Sequence, residues 1–284
     1  MCGRYAASAD LAEIVEEFDV EEDRSDAPAR SILVAPQDPP AGLPDWNMAP
    51  TKRAPVVLTR SVARSDAAIG TPEAAESTRQ LRLLTWGLVP SWAKDPSVGV
   101  RMINARAETI LAKPAFARAL GARRALIPAA GWYEWQISPT AVDAKGKPRK
   151  QPFFIHRGDG APVAMAGIYE FWRDRAVADP DDPLAWVVSF AILTTYADPG
   201  LNRIHDRQPL VLERADWDRW LDPTRTDPAG VADLLGYAGP GRFAAYPVGR
   251  AVNSSRHNGP GLVHPAAPED LVGVVDPMTG EVLG

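Results

Sequence analysis

Proline and glycine interrupt this chain so often that its secondary structure must be built in short pieces. The 28 prolines and 22 glycines among 284 residues favour many turns and a β-rich or mixed architecture over a helical bundle. Apolar runs of strand length lie between the breaks: 56–59, 81–86, 152–156, 163–171 and 186–195 read as strands. The stretch 125–135 reads as a buried strand with Trp132-Tyr133-Glu134-Trp135 at its end, and 243–252 as a returning strand. Helical pattern is confined to a segment capped by Ser8, with Leu11, Ile14, Val15 and Phe18 on one face, to 108–120 broken by Pro114, and to 216–221 and 230–235. Residues 63–77 read as an insertion of small and polar residues, 138–150 as a hairpin tip and 174–183 as an Asp/Pro-rich loop. With 45% hydrophobic content the chain buries a sizeable core. No repeat or linker divides it, so the expectation is one α+β domain, mostly antiparallel.

A formal net charge of −5 argues against non-specific attachment to nucleic acid, whose affinity is supplied by Lys and Arg. The charge is uneven, however. Glu13, Glu16, Glu17, Asp19, Glu21, Glu22, Asp23 and Asp26 crowd one segment, and Arg101, Arg106, Lys113, Arg118, Arg123 and Arg124 another. Two solvated faces, or a basic groove on an acidic protein, both accommodate that pattern. The sole cysteine, Cys2, rules out an internal disulfide, and His156, His205, His257 and His264 have no zinc-binding spacing. The expectation is a reduced, cytoplasmic protein without metal or cofactor. The first residues lack the apolar run of a signal peptide, and no later stretch is apolar for long enough to cross a bilayer.

Cys2 carries the most chemistry. Initiator methionine is commonly removed before a small residue, which would leave an α-amine and a thiol on one residue. The amine, with an ordinary pKa of about 7.7–8, is partly neutral near pH 7 and attacks an aldehyde to give a Schiff base. The thiol then closes a five-membered thiazolidine. A cysteine in second position is by itself most often incidental, so support has to come from elsewhere.

It comes from islands along the chain: Met1-Cys2-Gly3-Arg4-Tyr5, Asn104-Ala105-Arg106-Ala107-Glu108, Gly131-Trp132-Tyr133-Glu134-Trp135 and Ile204-His205-Asp206-Arg207-Gln208-Pro209. Asn47-Met48-Ala49-Pro50-Thr51, Trp86-Gly87-Leu88-Val89-Pro90-Ser91-Trp92 and Ala191-Ile192-Leu193-Thr194-Thr195 add to them, with a fainter echo at 247–253. Singly each is common, but in this order they are specific. The sequence resembles the SRAP (SOS response-associated peptidase) family of abasic-site processing proteins.

That resemblance implies one SRAP domain over 1–255, a twisted, barrel-like β core with a few peripheral helices, followed by a partly mobile tail at 256–284. It implies a basic groove for single-stranded DNA containing abasic sites, a monomer, encounters with replication-fork proteins, and nucleoid association in a bacterium. Carried onto this sequence, Cys2 is the nucleophile that crosslinks to the ring-opened sugar and Asn104 orients the amine. Glu134 holds or deprotonates the amine, and His205 acts as general acid and base. Arg4 and Arg106 suit phosphate; Pro50, Trp92 and Trp135 suit flanking bases; Thr194 joins the DNA-binding set. Trp86 reads as core. Ser91 stands where some relatives carry a second aromatic.

Read one at a time, Glu134 is equally a rim carboxylate, His205 a loop histidine, Asn104 a turn residue and the tryptophans core. Their joint occurrence with Cys2 shifts the balance. Three other functions compete: an N-terminal-cysteine amide hydrolase that processes itself, a non-covalent single-strand binder, and a lyase that takes the same Schiff base to strand scission.

Overall fold

A computed structural model describes residues 2–33, 35–61, 77–179, 181–236 and 239–283. Its elements, in order, are β1 (Tyr5–Ala7), α1 (Leu11–Glu17), β2 (Glu22–Asp23), β3 (Asp45–Met48), β4 (Arg53–Ser61), β5 (Ser77–Trp86) and β6 (Asn104–Arg106). Then come α2 (Pro114–Ala122), β7 (Arg124–Ala129), β8 (Gly131–Val142), β9 (Pro148–Arg157), β10 (Val163–Arg173) and β11 (Trp186–Tyr196). The chain finishes with β12 (Arg207–Pro209), α3 (Trp217–Leu221), β13 (Phe243–Pro247), β14 (Val274–Val275) and β15 (Val282–Leu283). Several 3₁₀ turns join them.

Five strands form a closed ring. β5, β4, β7, β10 and β11 pair antiparallel in that order, and β11 returns to β5 as a parallel pair with Phe190 opposite Trp86. Closure removes edges that another chain would pair with. A second, antiparallel sheet in the order β13, β9, β8, β1, β3 lies against it. The expected α+β domain with a mostly antiparallel, barrel-like core is the fold observed.

Alternation explains why the barrel strands read as continuous apolar runs. On β4, Val56 and Leu58 join a cluster with Ile127, Met165 and Ile192, while Val57 between them joins another with Leu126, Ala166 and Leu193. Helices cover the second cluster with Ile14, Leu120, Trp217 and Trp220, so both faces of these strands are buried. Arg124 ties helices to barrel. It is 4% exposed, and its guanidinium donates to the carbonyls of Leu120, Gly121, Trp220, Asp222 and Arg225 at 2.5–3.0 Å, satisfying backbone groups that the ends of α2 and α3 leave without intrahelical partners.

Several sequence expectations need correction. The cap of α1 is Asp10, not Ser8: Asp10 Oδ1 accepts from the Glu13 N–H and Glu13 reaches back to the Asp10 N–H, a reciprocal box that a serine two residues earlier cannot make. The run 125–135 is two strands, because the chain bends at Ala130, whose N–H donates to the Ala6 carbonyl at 2.9 Å. Glu134 therefore lies in the first half of β8 rather than at a strand end. Gly131 permits this junction: a Cβ there would stand 2.4 Å from the Ile155 carbonyl oxygen. Likewise β13 stops at Pro247 and 250–253 is a 3₁₀ turn. The 138–150 hairpin exists, but its strands run further into it, Val142 pairing with Pro148. The insertion read at 63–77 lies outside the described residues except for Ser77. Pro114 does break the 108–120 helix, into a 3₁₀ turn and α2. Residues 256–283 include the β14–β15 hairpin, which is bonded to β8 by the Ser138 hydroxyl donating to the Gly273 carbonyl at 2.6 Å.

Candidate active site

Cys2 leads into β1, which lies between β3 and β8. The register that sets Tyr5 opposite Trp132 continues through the Tyr133 N–H, which donates to the Arg4 carbonyl at 3.0 Å, and it draws Glu134 alongside the start of the chain. Cys2 is fully buried in the cluster that contains Tyr5, Met48 and Trp86. Burial pushes its thiol well above the ordinary range, and the negative charge of Glu134 pushes it further. At neutral pH it is a thiol rather than a thiolate.

Asn104 arrives from the barrel. β6 runs parallel to β11 with Asn104 opposite Ile192, and the Asn104 Nδ2 donates to the Cys2 carbonyl at 2.8 Å. The amide's Oδ1 is buried and has no hydrogen-bond partner among the described residues. Glu134 is 3% exposed, and burial raises its carboxyl to about 7. Both of its protonation states are therefore populated near neutrality, which suits a group that passes protons.

His205 sits on the turn between the 3₁₀ segment 201–203 and β12, its N–H donating to the Leu201 carbonyl at 3.1 Å. Burial lowers its pKa. In the neutral ring Nδ1 accepts the Arg207 N–H at 3.0 Å, which leaves the proton on Nε2. When charged, the ring donates from Nδ1 to Asp206 Oδ1, 2.9 Å away. Asp206 also contributes, as a minor cause, to the raised Glu134 carboxyl, so the His205 turn is within electrostatic reach of Glu134.

Three contacts that frame this cluster were not identified in the sequence. Arg207 forms a bidentate pair with Glu108 at 2.8 and 3.0 Å and donates to the Thr194 carbonyl at 2.7 Å, locking β12 to β11 and to the segment after β6. Both partners lie within the sequence islands, but only their spacing in space gives them this role. Asn47, fully buried, accepts from Arg4 at 2.7 Å and donates to the carbonyls of Val252, Ser254 and His257. Of these carbonyls, that of Val252 lies in the echo at 247–253. Gln136, two residues beyond Glu134, bonds to Arg203 and Val275.

The remaining expected residues are placed unevenly. Arg106 and Trp92 are exposed, Trp92 at 68%. Pro50 and Trp135 are half-buried, and the Trp135 Nε1 donates to Asn253 at 2.7 Å. One Arg4 nitrogen is committed to Asn47 and to the Val252 carbonyl. Thr194 is 0% exposed, and its carbonyl and hydroxyl both accept from Arg207. Trp86 is core as read, its Nε1 donating to the Ile103 carbonyl at 2.9 Å. Gly87 follows at φ +126°, and a Cβ there would lie 2.6 Å from the Gly99 carbonyl oxygen, which explains the glycine in that island. Among the described residues there is no group of three His, Cys, Asp or Glu that could hold a metal ion, and no helix long and apolar enough to cross a membrane.

A closed five-strand barrel with a cysteine-led strand laid against it, Asn104 bonded to that cysteine's carbonyl, Glu134 near its thiol and the His205 turn within electrostatic reach of Glu134, defines a class of single-domain proteins with a polar cluster at an N-terminal strand. The chain belongs to the SRAP family: the model for SOS response associated peptidase (SRAP) matches residues 1–255. It is similar to abasic site processing protein YoqW of Bacillus subtilis, with 31% identity covering 93% of this chain and 99% of the relative. It is also similar to YedK of Escherichia coli (34%, covering 63% and 72%) and to HMCES of Rattus norvegicus (30%, covering 85% and 70%), both named abasic site processing proteins. Of solved structures, a Bacteroides thetaiotaomicron protein superposes with TM-score 0.69 at 23% identity, covering 94% of this chain and all of that one. A phage-related protein of Bordetella bronchiseptica gives 0.54 at 30%, covering 87% and 94%.

Proposed function

We propose that this chain processes abasic sites in single-stranded DNA by forming a covalent crosslink through Cys2 once Met1 has been removed. The observation that carries the reading is the arrangement around Cys2. Asn104 holds its carbonyl while keeping a buried acceptor open, and a carboxyl with a pKa near neutrality stands beside the thiol.

The buried, protonated thiol gives an order to the steps. The Cys2 amine adds first to the C1 aldehyde of the ring-opened sugar, assisted by the open Asn104 Oδ1, which accepts an amine hydrogen. His205, in its protonated form, donates from Nε2 as the carbinolamine loses water, leaving an iminium ion and a neutral imidazole. The thiol then gives its proton to the Glu134 carboxylate as sulfur bonds to the iminium carbon. The thiazolidine that closes contains the elements of both reactants less one water. Burial of Glu134 favours this last transfer, because a desolvated carboxylate is a stronger base than one in water. Arg106, exposed beside Asn104 on β6, supplies positive charge for phosphate, with Arg4 through the part of its guanidinium not held by Asn47. Trp92, Pro50 and Trp135 offer apolar surface to flanking bases. An abasic nucleotide has no base of its own to unstack, so its sugar enters at low cost.

The test is incubation of Met1-free protein with single-stranded DNA containing one abasic site. A heat-stable, slower-migrating species that needs both the lesion and Cys2 supports the proposal. Undiminished adduct from Cys2→Ala, or none from the parent, contradicts it. Strand scission without adduct would favour the lyase reading instead.

A further inference from the structure

Gln136 is 2% exposed on β8 and spends its whole amide on two segments remote in sequence. Its Oε1 accepts the Val275 N–H at 2.8 Å, and its Nε2 donates to the Val275 carbonyl at 2.9 Å and to the Arg203 carbonyl at 3.2 Å. Val275 belongs to β14, beyond the residues matched by the family model, and Arg203 ends the 3₁₀ segment that leads into His205. The same hairpin grips that segment a second time. The Arg203 guanidinium donates to the Pro277 carbonyl at 2.6 Å, and Gly200 packs close to Met278, a Cβ at Gly200 meeting the Met278 sulfur at 3.1 Å. At the other end, Ser138 and Arg149 hold the approach to the hairpin through the carbonyls of Gly273 and Val272.

Gln136 and Glu134 are two apart on one strand and so face the same side of the sheet. Arg203 and His205 are two apart on one turn. A buried amide thus links the strand that carries the carboxyl to the turn that carries the imidazole, and the 274–283 hairpin closes over the link.

We infer that Gln136 is a positioning residue and that the β14–β15 hairpin acts with it as a clamp, fixing the His205 turn relative to Glu134. The inference rests on the reading of His205 and Glu134 as partners of Cys2 in the reaction. Outside that reading, the amide and the hairpin would only stabilise the fold. A buried glutamine with three good hydrogen bonds is poorly replaced by an apolar residue, since the carbonyls it serves lose their donors. Catalytic groups displaced by about 1 Å lose on the order of 10²-fold in rate, so a loosened turn should register in the chemistry before it does in the fold.

The experiment compares the full chain with Gln136→Met and with a chain lacking 272–284, using single-stranded DNA with one abasic site and reading the crosslinking rate. Each change is made in the parent and in a His205→Ala background, and amide hydrogen exchange is followed at 201–207. The expected result is a loss of about tenfold or more from each change in the parent. Little further loss should appear once His205 is gone, and exchange should rise at 201–207 but not along the β4–β5 pair. An equal loss in both backgrounds overturns the inference, because a general structural effect does not depend on His205. Unchanged exchange at 201–207 overturns it as well. If the parent forms no crosslink, the proposed function fails, and the exchange measurement alone decides whether the clamp exists.

Discussion

Arg124 and Asn104 both turn polar groups away from solvent, and the molecule treats them in opposite ways. Every side of the Arg124 guanidinium meets a carbonyl, five in all, so that a buried charge becomes the fastening between the barrel and two helices. The Asn104 amide, in contrast, has its donor on the Cys2 carbonyl and a buried acceptor left open. Around it stand a thiol pushed up by burial and a carboxyl raised to about 7. Arg124 is thereby suited to holding the fold, whereas the open acceptor of Asn104, beside a buried thiol and carboxyl, is suited to meeting a ligand.

That contrast is easiest to break at Arg124. Arg124→Met removes the donors from five carbonyls, and we expect a loss of roughly 3–5 kcal/mol in unfolding free energy, measured by denaturant titration. The folded fraction should crosslink at the parent rate. A loss below about 1 kcal/mol would mean that the hub is not a fastening.

Glu134 gives the next largest effect, and its sign is distinctive. Its carboxyl has a folded pKa of about 7 against an ordinary 4.5, so folding favours the protonated form. The stability this contributes is fully present below about 4.5 and is lost as pH rises through about 7, a change of roughly 3 kcal/mol. Glutamine does not ionise. Glu134→Gln should therefore match the parent in acid and exceed its stability by up to roughly 3 kcal/mol above about pH 8, while crosslinking falls at least tenfold. Parallel stability curves for the two proteins would contradict the buried carboxyl.

The smallest change in stability is expected at Asn104. Asn104→Leu removes one hydrogen bond together with one unsatisfied acceptor, so stability should stay within about 1 kcal/mol of the parent. The crosslinking rate should drop on the order of 10²-fold. A large loss of stability with unchanged rate would make Asn104 a structural residue like Arg124.

The sequence and the structure agree where information is local or repeated. Short apolar runs marked the barrel strands because both of their faces are buried, and Pro114 marked the break before α2. The islands named Cys2, Asn104, Glu134 and His205; in the fold Asn104 bonds to the Cys2 carbonyl, and Glu134 lies within electrostatic reach of the Cys2 thiol and of the turn that carries His205. What stayed hidden depends on distance along the chain. Asn47 serves carbonyls near residue 254, Arg207 grips Glu108, and Gln136 joins residues 203 and 275; no spacing or composition announces such bonds. The bend at Ala130 was invisible for a related reason, since the N–H that anchors it pairs with Ala6 in another strand. The burial of Thr194 under Arg207 was likewise not legible, since both residues lie in islands but meet only in the fold.

The most direct test of the Cys2 chemistry is the intact mass of the adduct formed by Met1-free protein with a short single-stranded oligonucleotide carrying one abasic site, taken with and without borohydride. A thiazolidine at Cys2 gives the sum of protein and oligonucleotide less one water, with no hydrogens gained on reduction, and fragmentation places it on the first residue. An adduct that gains two hydrogens, one that maps to a lysine, or no adduct at all would contradict it.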